Sequence, residues 1–218
     1  MGANQWRSAS SINKMNNDHL KLYLTASPLG TFYSLKKSKP VKNNFLYQEV
    51  DFADRETSNN NYYPDPIISD EIDSSNGFNF ISAPLEKPLL VNGSFIGKLY
   101  ASSNKKDFDF GVTLYEVMPN GTYFHLSYIV GRASYANDIT QRKLLTPNKI
   151  EEIPFTNTHL VSKQLQKGSR LLIHLNINKN PFSELNYGTG KEVTTETITD
   201  ATSPLKIKWY THLSLIHI

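Results

Sequence analysis

Apolar residues recur along this chain mainly at every second position, and turn-forming clusters such as Asn92-Gly93, Pro119-Asn120-Gly121 and Lys167-Gly168 separate the runs at sandwich-like spacings. Asp107 to Val117 shows the pattern best. Phe108, Phe110, Val112, Leu114 and Glu116 fall on one face, while Asp109, Gly111, Thr113, Tyr115 and Val117 fall on the other. Pro119-Asn120-Gly121 then ends the strand and predicts a hairpin into Thr122 to Tyr135, a run rich in aromatic and β-branched residues. Further strands are expected at Leu20 to Thr25, Phe78 to Ser82, Ser94 to Ser102, Ile150 to Phe155, Arg170 to Ile177, Thr194 to Thr199, Leu205 to Trp209 and Leu213 to Ile218. With no convincing long helical period, the pattern predicts an all-β fold, a jelly roll or related antiparallel β-sandwich.

Between residues 36 and 77 the composition shifts toward Asn, Asp, Ser and Pro, and Ser58-Asn59-Asn60-Asn61 and Tyr62-Tyr63-Pro64-Asp65-Pro66 are its most loop-like stretches. A structureless loop of that length is unusual inside a compact domain. The segment is therefore expected either to pack along the sandwich by its aromatics or to contact something outside this chain. Phe32, Tyr33, Phe45, Tyr47, Phe52, Tyr62 and Tyr63 are available for that docking.

Charge and composition narrow the possible partners. The 23 Lys and Arg against 20 Asp and Glu leave a net charge of +3, and the basic residues are scattered, so no nucleic-acid footprint is expected. The lack of cysteine removes disulfides, thiol chemistry and cysteine-ligated zinc, but leaves the compartment open. No run approaches the length of an apolar membrane span, and residues 1–18 lack the charged-then-apolar order of a signal peptide. The chain is expected to be soluble, without a membrane partner.

Candidate chemistry is sparse. A serine nucleophile on a strand-to-helix elbow needs small neighbours, usually as G-x-S-x-G, and Gly93-Ser94-Phe95-Ile96-Gly97 has those residue types in the wrong register. It reads as a turn opening a strand. The six histidines, His19, His125, His159, His174, His212 and His217, are dispersed and form no metal-binding spacing; His212 and His217 are expected on opposite faces of one strand. Asp107 and Asp109 supply too few oxygens for calcium and read as a solvated strand edge. Gly188-Thr189-Gly190 reads as a turn, because no helix follows to complete a phosphate cradle. No catalytic residue, cofactor site or metal site emerges.

Several stretches resemble one family. Met1-Gly2-Ala3-Asn4-Gln5-Trp6-Arg7 looks like M-G-x-[ND]-x-W-R, and Leu22-Tyr23-Leu24 looks like a first sandwich strand. Phe80-Ile81-Ser82-Ala83-Pro84-Leu85-Glu86-Lys87-Pro88-Leu89 is similar to F-x-S-x-P-L-x-x-P-L. Asp107-Phe108-Asp109-Phe110 through Leu114-Tyr115-Glu116-Val117, with Asn120-Gly121, is similar to D-x-D-F-x-x-x-L-x-x-V-x-x-x-G. Gly131-Arg132-Ala133-Ser134-Tyr135 looks like an R-x-R-Y-type segment, Lys167-Gly168-Ser169-Arg170-Leu171 resembles K-G-H-R-L with Ser169 in place of His, and Asn186-Tyr187-Gly188-Thr189-Gly190 resembles N-P-N-T-G with two substitutions. These patterns are those of the C-terminal β-sandwich domain of X-Pro dipeptidyl-peptidases, cocaine esterase and α-amino-acid ester hydrolases.

The resemblance implies a division into a connector at 1–18, the tail of a missing α/β-hydrolase domain, and a sandwich at 19–218. Complete enzymes of this family are serine hydrolases acting as peptidases, esterases or acylases, and their Ser-His-Asp triads would precede Met1. The chain itself is expected to be non-catalytic and to need no cofactor. It would pack on the hydrolase and cap domains, supporting the substrate pocket and a possible homo-oligomer, with Asn4, Trp6, Tyr63 and Asp65 as the expected contacts. The family's jelly roll is also similar to galactose-binding-like domains, so a carbohydrate-binding module is the alternative. Trp209 and Tyr210, near Thr211 and His212, would supply its platform, although alternation lets at most one of the two aromatics face out.

Overall fold

Strands form wherever alternation is strongest, and also at five places where it is brief. A computed structural model describes residues 1–11, 14–15, 18–54, 62, 65–72, 77–180 and 182–218. The strands are β1 (Lys21–Leu29), β2 (Phe32–Lys36), β3 (Leu46–Val50), β4 (Ile68–Ser69), β5 (Gly77–Ile81), β6 (Leu89–Gly93), β7 (Ile96–Ser103), β8 (Asp109–Val117), β9 (Tyr123–Arg132), β10 (Glu151–Thr156), β11 (Val161–Leu165), β12 (Arg170–Ile177), β13 (Leu205–Trp209) and β14 (Leu215–His217). The fold is all-β, a sandwich as expected. Most strands join one sheet in the order β3-β13-β7-β14-β1-β2-β5-β12-β8-β9-β4, with β10 also on β7, and β6 and β11 form a small second sheet.

The large sheet folds over so that its inner faces meet. Phe108 stands edge-on to Trp209 with ring centroids 5.8 Å apart, Phe110 meets Phe155 at 6.4 Å, and Phe155 meets Phe95 at 6.0 Å. This chain of rings joins β8 to β10 and β13 through the core. The four apolar residues expected on this inner face, Phe108 just before β8 and Phe110, Val112 and Leu114 within it, are buried there.

Four expectations need correction. The pairing is not wholly antiparallel: β2 runs parallel to β5, with Tyr33 opposite Phe80 and Ser34 opposite Ile81. The long segment between them supplies the crossover that a parallel neighbour requires. Thr194 to Thr199 is not a strand but two short 3-10 turns, Val193–Thr195 and Ile198–Asp200. Local side-chain bonds win over strand propensity there: Thr197 and Asp200 form a capping box, and Glu196 accepts the amides of Tyr187 at 2.7 Å and Thr189 at 2.9 Å. His212 lies in a turn before β14 rather than on a strand with His217. The fourth correction concerns Asp107 and Asp109, which are buried rather than solvated.

The excursion packs along the sandwich in part. Phe52 is buried against Tyr187 at 5.8 Å, and β3 pairs with β13. Tyr62 is buried on the outer face of β8, stacked 5.4 Å from Tyr128 and lying over Gly111, where a Cβ would meet its hydroxyl at 2.3 Å. Burial pushes the Tyr62 phenol up to about 12. Phe45 and Tyr47 stay exposed.

On this outer face the cross-strand register places Asn79, His174, Thr113 and Tyr128 in one row, and Ile81, Leu172, Tyr115 and His125 in the next. His174 Nδ1 lies 2.8 Å from Asn79 Oδ1. His125 is buried edge-on to Tyr115 at 5.3 Å, and burial lowers its ring to about 4 from the usual 6.5. The folded state therefore takes up fewer protons than the unfolded chain between those values, so stability falls as pH drops through that window. Urea titrations at pH 7 and pH 4.5 are expected to show a smaller loss for His125→Leu than for the parent chain. An equal loss in both would assign the pH dependence to carboxylates alone.

Candidate interdomain surface

The ends of β8 carry acids that must be satisfied without water. Asp107 is fully buried and accepts from the Ser134 amide at 3.0 Å, the Ser134 hydroxyl at 2.6 Å and Arg142 Nη2 at 3.2 Å. Asp109 receives Arg132 in a two-pronged contact at 2.8 and 3.0 Å, with Asn186 Nδ2 at 2.9 Å. Burial outweighs these donors and holds the Asp109 carboxyl above its usual range. At the other end Glu116 is buried between Lys163 Nζ and the Ser169 hydroxyl, both at 2.6 Å. Sequence reasoning missed Arg132, Ser134, Arg142, Lys163 and Ser169 as partners. The available signal was Glu116 on the apolar face of its strand, where a lone carboxylate demands a donor.

The segment carrying Asn4 and Trp6 is tied to the small sheet. The Met1 nitrogen donates to the Ser162 carbonyl at 2.9 Å, and the Gln164 amide donates to the Met1 carbonyl at 3.1 Å, so this end continues the β11 edge. Gly2 permits the approach: its φ is +80°, and a Cβ would lie 2.4 Å from the Gln164 carbonyl oxygen. Beyond it the chain arches away, with Asn4 at φ +49°, and encloses an open cleft of about 860 Å³ against Leu90, Asn92 and Ser162. Trp6 lines that cleft yet is 103 % exposed, the most exposed large apolar side chain among the described residues.

Asp65, another expected contact, does not line this cleft. Asp65 is exposed in the approach to β4, which pairs with β9, and Tyr63 lies outside the described residues. Trp209 is buried, its indole nitrogen donating to Gln48 Oε1 at 2.9 Å, and so cannot serve as a sugar platform. Tyr210 is half-buried against Phe45 at 5.9 Å. Among the described residues no group of His, Asp or Glu is arranged to hold a metal ion, and no helix is long and apolar enough to cross a membrane.

Residues 1–212 match the family described as the X-Pro dipeptidyl-peptidase C-terminal non-catalytic domain. The chain belongs to that family. Among solved structures it is similar to an aminopeptidase from the marine sediment archaeon Thaumarchaeota archaeon, with TM-score 0.80 and 20% identity over 100% of this chain and 38% of that one. It is similar also to an α-amino acid ester hydrolase, with TM-score 0.74 and 21% identity over 91% and 35% of the two chains. A CocE/NonD family hydrolase from Staphylococcus aureus follows at TM-score 0.63 and 14% identity, covering 98% and 38%. Likeness at this level of identity establishes the shared fold. Among curated proteins no relative matches. The chain spans little more than a third of the length of these structures.

Within the domain, two of the family-like segments meet in space: the D-x-D-F stretch supplies Asp107 and Asp109, and the segment around Arg132 supplies Arg132 and Ser134. Asp107→Ala is expected to leave the Ser134 amide without its acceptor and Arg142 with only the exposed Glu192, and to cost about 3–5 kcal/mol, the usual penalty for breaking a buried charge pair; urea unfolding measures it. Gly2→Ala is expected to release residues 1–3 from β11 and to speed hydrogen exchange at the Gln164 amide, while exchange in β8 and β12 stays unchanged.

Proposed function

We propose that this domain is the accessory sandwich of a longer serine hydrolase, a peptidase, esterase or acylase. In this reading residues 1–18 form the connector and residues 19–218 the sandwich. The sandwich packs against the α/β-hydrolase and cap domains of the same protein, supporting the substrate pocket and the oligomer. The observation that carries the reading is Trp6, a large aromatic with no cover, on a segment inside the family match and held to β11 by Met1 and Gly2. Large aromatics concentrate at the centres of interfaces. Asn4 flanks it on the same arch, while Asp65 would form a separate contact on the β4 side, and the reading keeps Tyr63 as a further contact residue. The enzymes whose folds contain this domain are similarly larger than the chain.

Two measurements test the proposal. The 218-residue chain is expected to turn over neither Xaa-Pro p-nitroanilides nor simple aryl esters, and turnover that persists after removal of host hydrolases would overturn it. In the longer protein, Trp6→Ala is expected to lower the melting temperature and raise KM with little change in the spectrum of the isolated sandwich. An unchanged melting temperature and KM would remove Trp6 from the interface.

A further inference from the structure

The parallel contact between β2 and β5 is only two residue pairs long, and beyond it the sheet splits. After Ser34 and Ile81 the two strands part: β2 stays with β1, Leu35 opposite Leu24 and Lys36 opposite Tyr23, while Ser82 and Leu85 bond instead to the Leu171 and Ser169 carbonyls. Between them lies a groove of about 690 Å³. Its floor and walls are apolar, formed by Leu22, Leu35, Ile81, Leu85 and Leu171, and Lys36, Lys37 and Lys87 stand exposed at its rim. Glu86 is the single acid of the lining. None of the three lysines is in an ion pair among the described residues.

We propose that this groove binds a long-chain alkyl carboxylate, its tail in the split and its head among the rim lysines. Volume and lining fit a small-molecule site, which is mostly apolar with a few placed polar groups. The sign of the rim selects an anion. What decides against an extended peptide is the state of the groove's own hydrogen-bonding groups. The Ser82 amide is spent on Leu171 at 2.9 Å, and the Ser82 hydroxyl accepts the Leu171 amide at 3.0 Å and donates to the Ala83 carbonyl at 2.8 Å. The Leu85 amide and carbonyl are bonded to Ser169 and Gly168, each at 2.8 Å, and the Ser34 carbonyl accepts the Thr25 hydroxyl at 2.8 Å. A peptide running along the Ser82–Leu85 wall would bury amides facing these engaged groups, at the cost of unmet polar groups. An alkyl tail carries no such groups. The inference does not rest on the accessory-domain reading, since every residue it uses belongs to this chain.

The test is titration of the 218-residue chain with dodecanoate below its micellar concentration, followed by calorimetry and methyl NMR. Shifts are expected at Leu22, Leu35, Ile81, Leu85 and Leu171. Dodecanol is expected to bind at least ten-fold more weakly, and octanoate, four methylenes shorter, more than ten-fold more weakly. The triple variant Lys36→Glu, Lys37→Glu, Lys87→Glu changes only exposed side chains and is expected to lose dodecanoate binding by at least ten-fold with its melting temperature retained. Should charge reversal unfold the chain, Lys36→Gln with Lys87→Gln carries the same expectation in weaker form. Equal affinity for dodecanol, shifts confined to the Trp6 arch, or displacement of dodecanoate by a peptide of alternating Leu and Glu would each overturn the proposal. Binding only to dodecanoate-containing vesicles, with none to the monomer, would do so too.

Discussion

A strand buried on both faces must satisfy every polar group it carries, and β8 is that strand here. Its inner face is aromatic and aliphatic; its outer face, Gly111 and Thr113 included, lies under Tyr62 and beside His174 and Asn176. Water reaches neither side. The carboxylates at its two ends therefore recruit donors from other elements, Arg132, Ser134, Arg142 and Asn186 at one end and Lys163 and Ser169 at the other. These pins determine where β9, β11, the turn after β9 and the segment before the 3-10 turns lie. Such pairs add little net stability compared with an apolar replacement, but losing one partner is expensive, so they enforce one arrangement of loops.

The same economy explains how the domain meets its surroundings. Where the sandwich is closed by aromatic packing it offers no site. Where strands part or the chain arches off, openings remain among the described residues, including the cleft under Trp6 and the split between β2 and β5. They differ in chemistry. The first is bordered by an uncovered indole among polar residues such as Asn4, Gln5 and Asn92, suited to a protein neighbour; the second has an apolar floor, an engaged Ser82–Leu85 wall and a cationic rim suited to an amphiphilic anion. The chain thus carries a proposed docking arch and a proposed ligand groove on separate parts of one sandwich.

Much of the fold was legible. Period-two alternation located β1, β5, β7, β8, β9, β10, β12, β13 and β14, because a half- or fully buried strand writes its faces directly into side-chain polarity. It missed β2, β3, β6 and β11, five residues each, and the two-residue β4, since so short a run in an Asn- and Lys-rich context differs little from a loop. At Thr194 to Thr199 it predicted a strand where Glu196 and the Thr197–Asp200 box hold turns. Of the expected contacts, Asn4, Trp6 and Asp65 are all exposed, Trp6 the largest of them, and Asn4 and Trp6 line one cleft that Asp65 does not.

By itself the sequence determined the layer architecture, the membership of the core, and the family resemblance carried by Met1 to Arg7, Phe80 to Leu89 and Asp107 to Val117, because these depend on side-chain polarity and local spacing. Tertiary structure alone decided that Asp107 and Asp109 are buried rather than solvated, that Lys163 and Ser169 answer Glu116 across 47 and 53 residues, and that β2 lies parallel to β5. The reason is physical. A carboxylate's environment and a strand's partner are set by residues distant in the chain, and alternation records which face is buried but not what buries it.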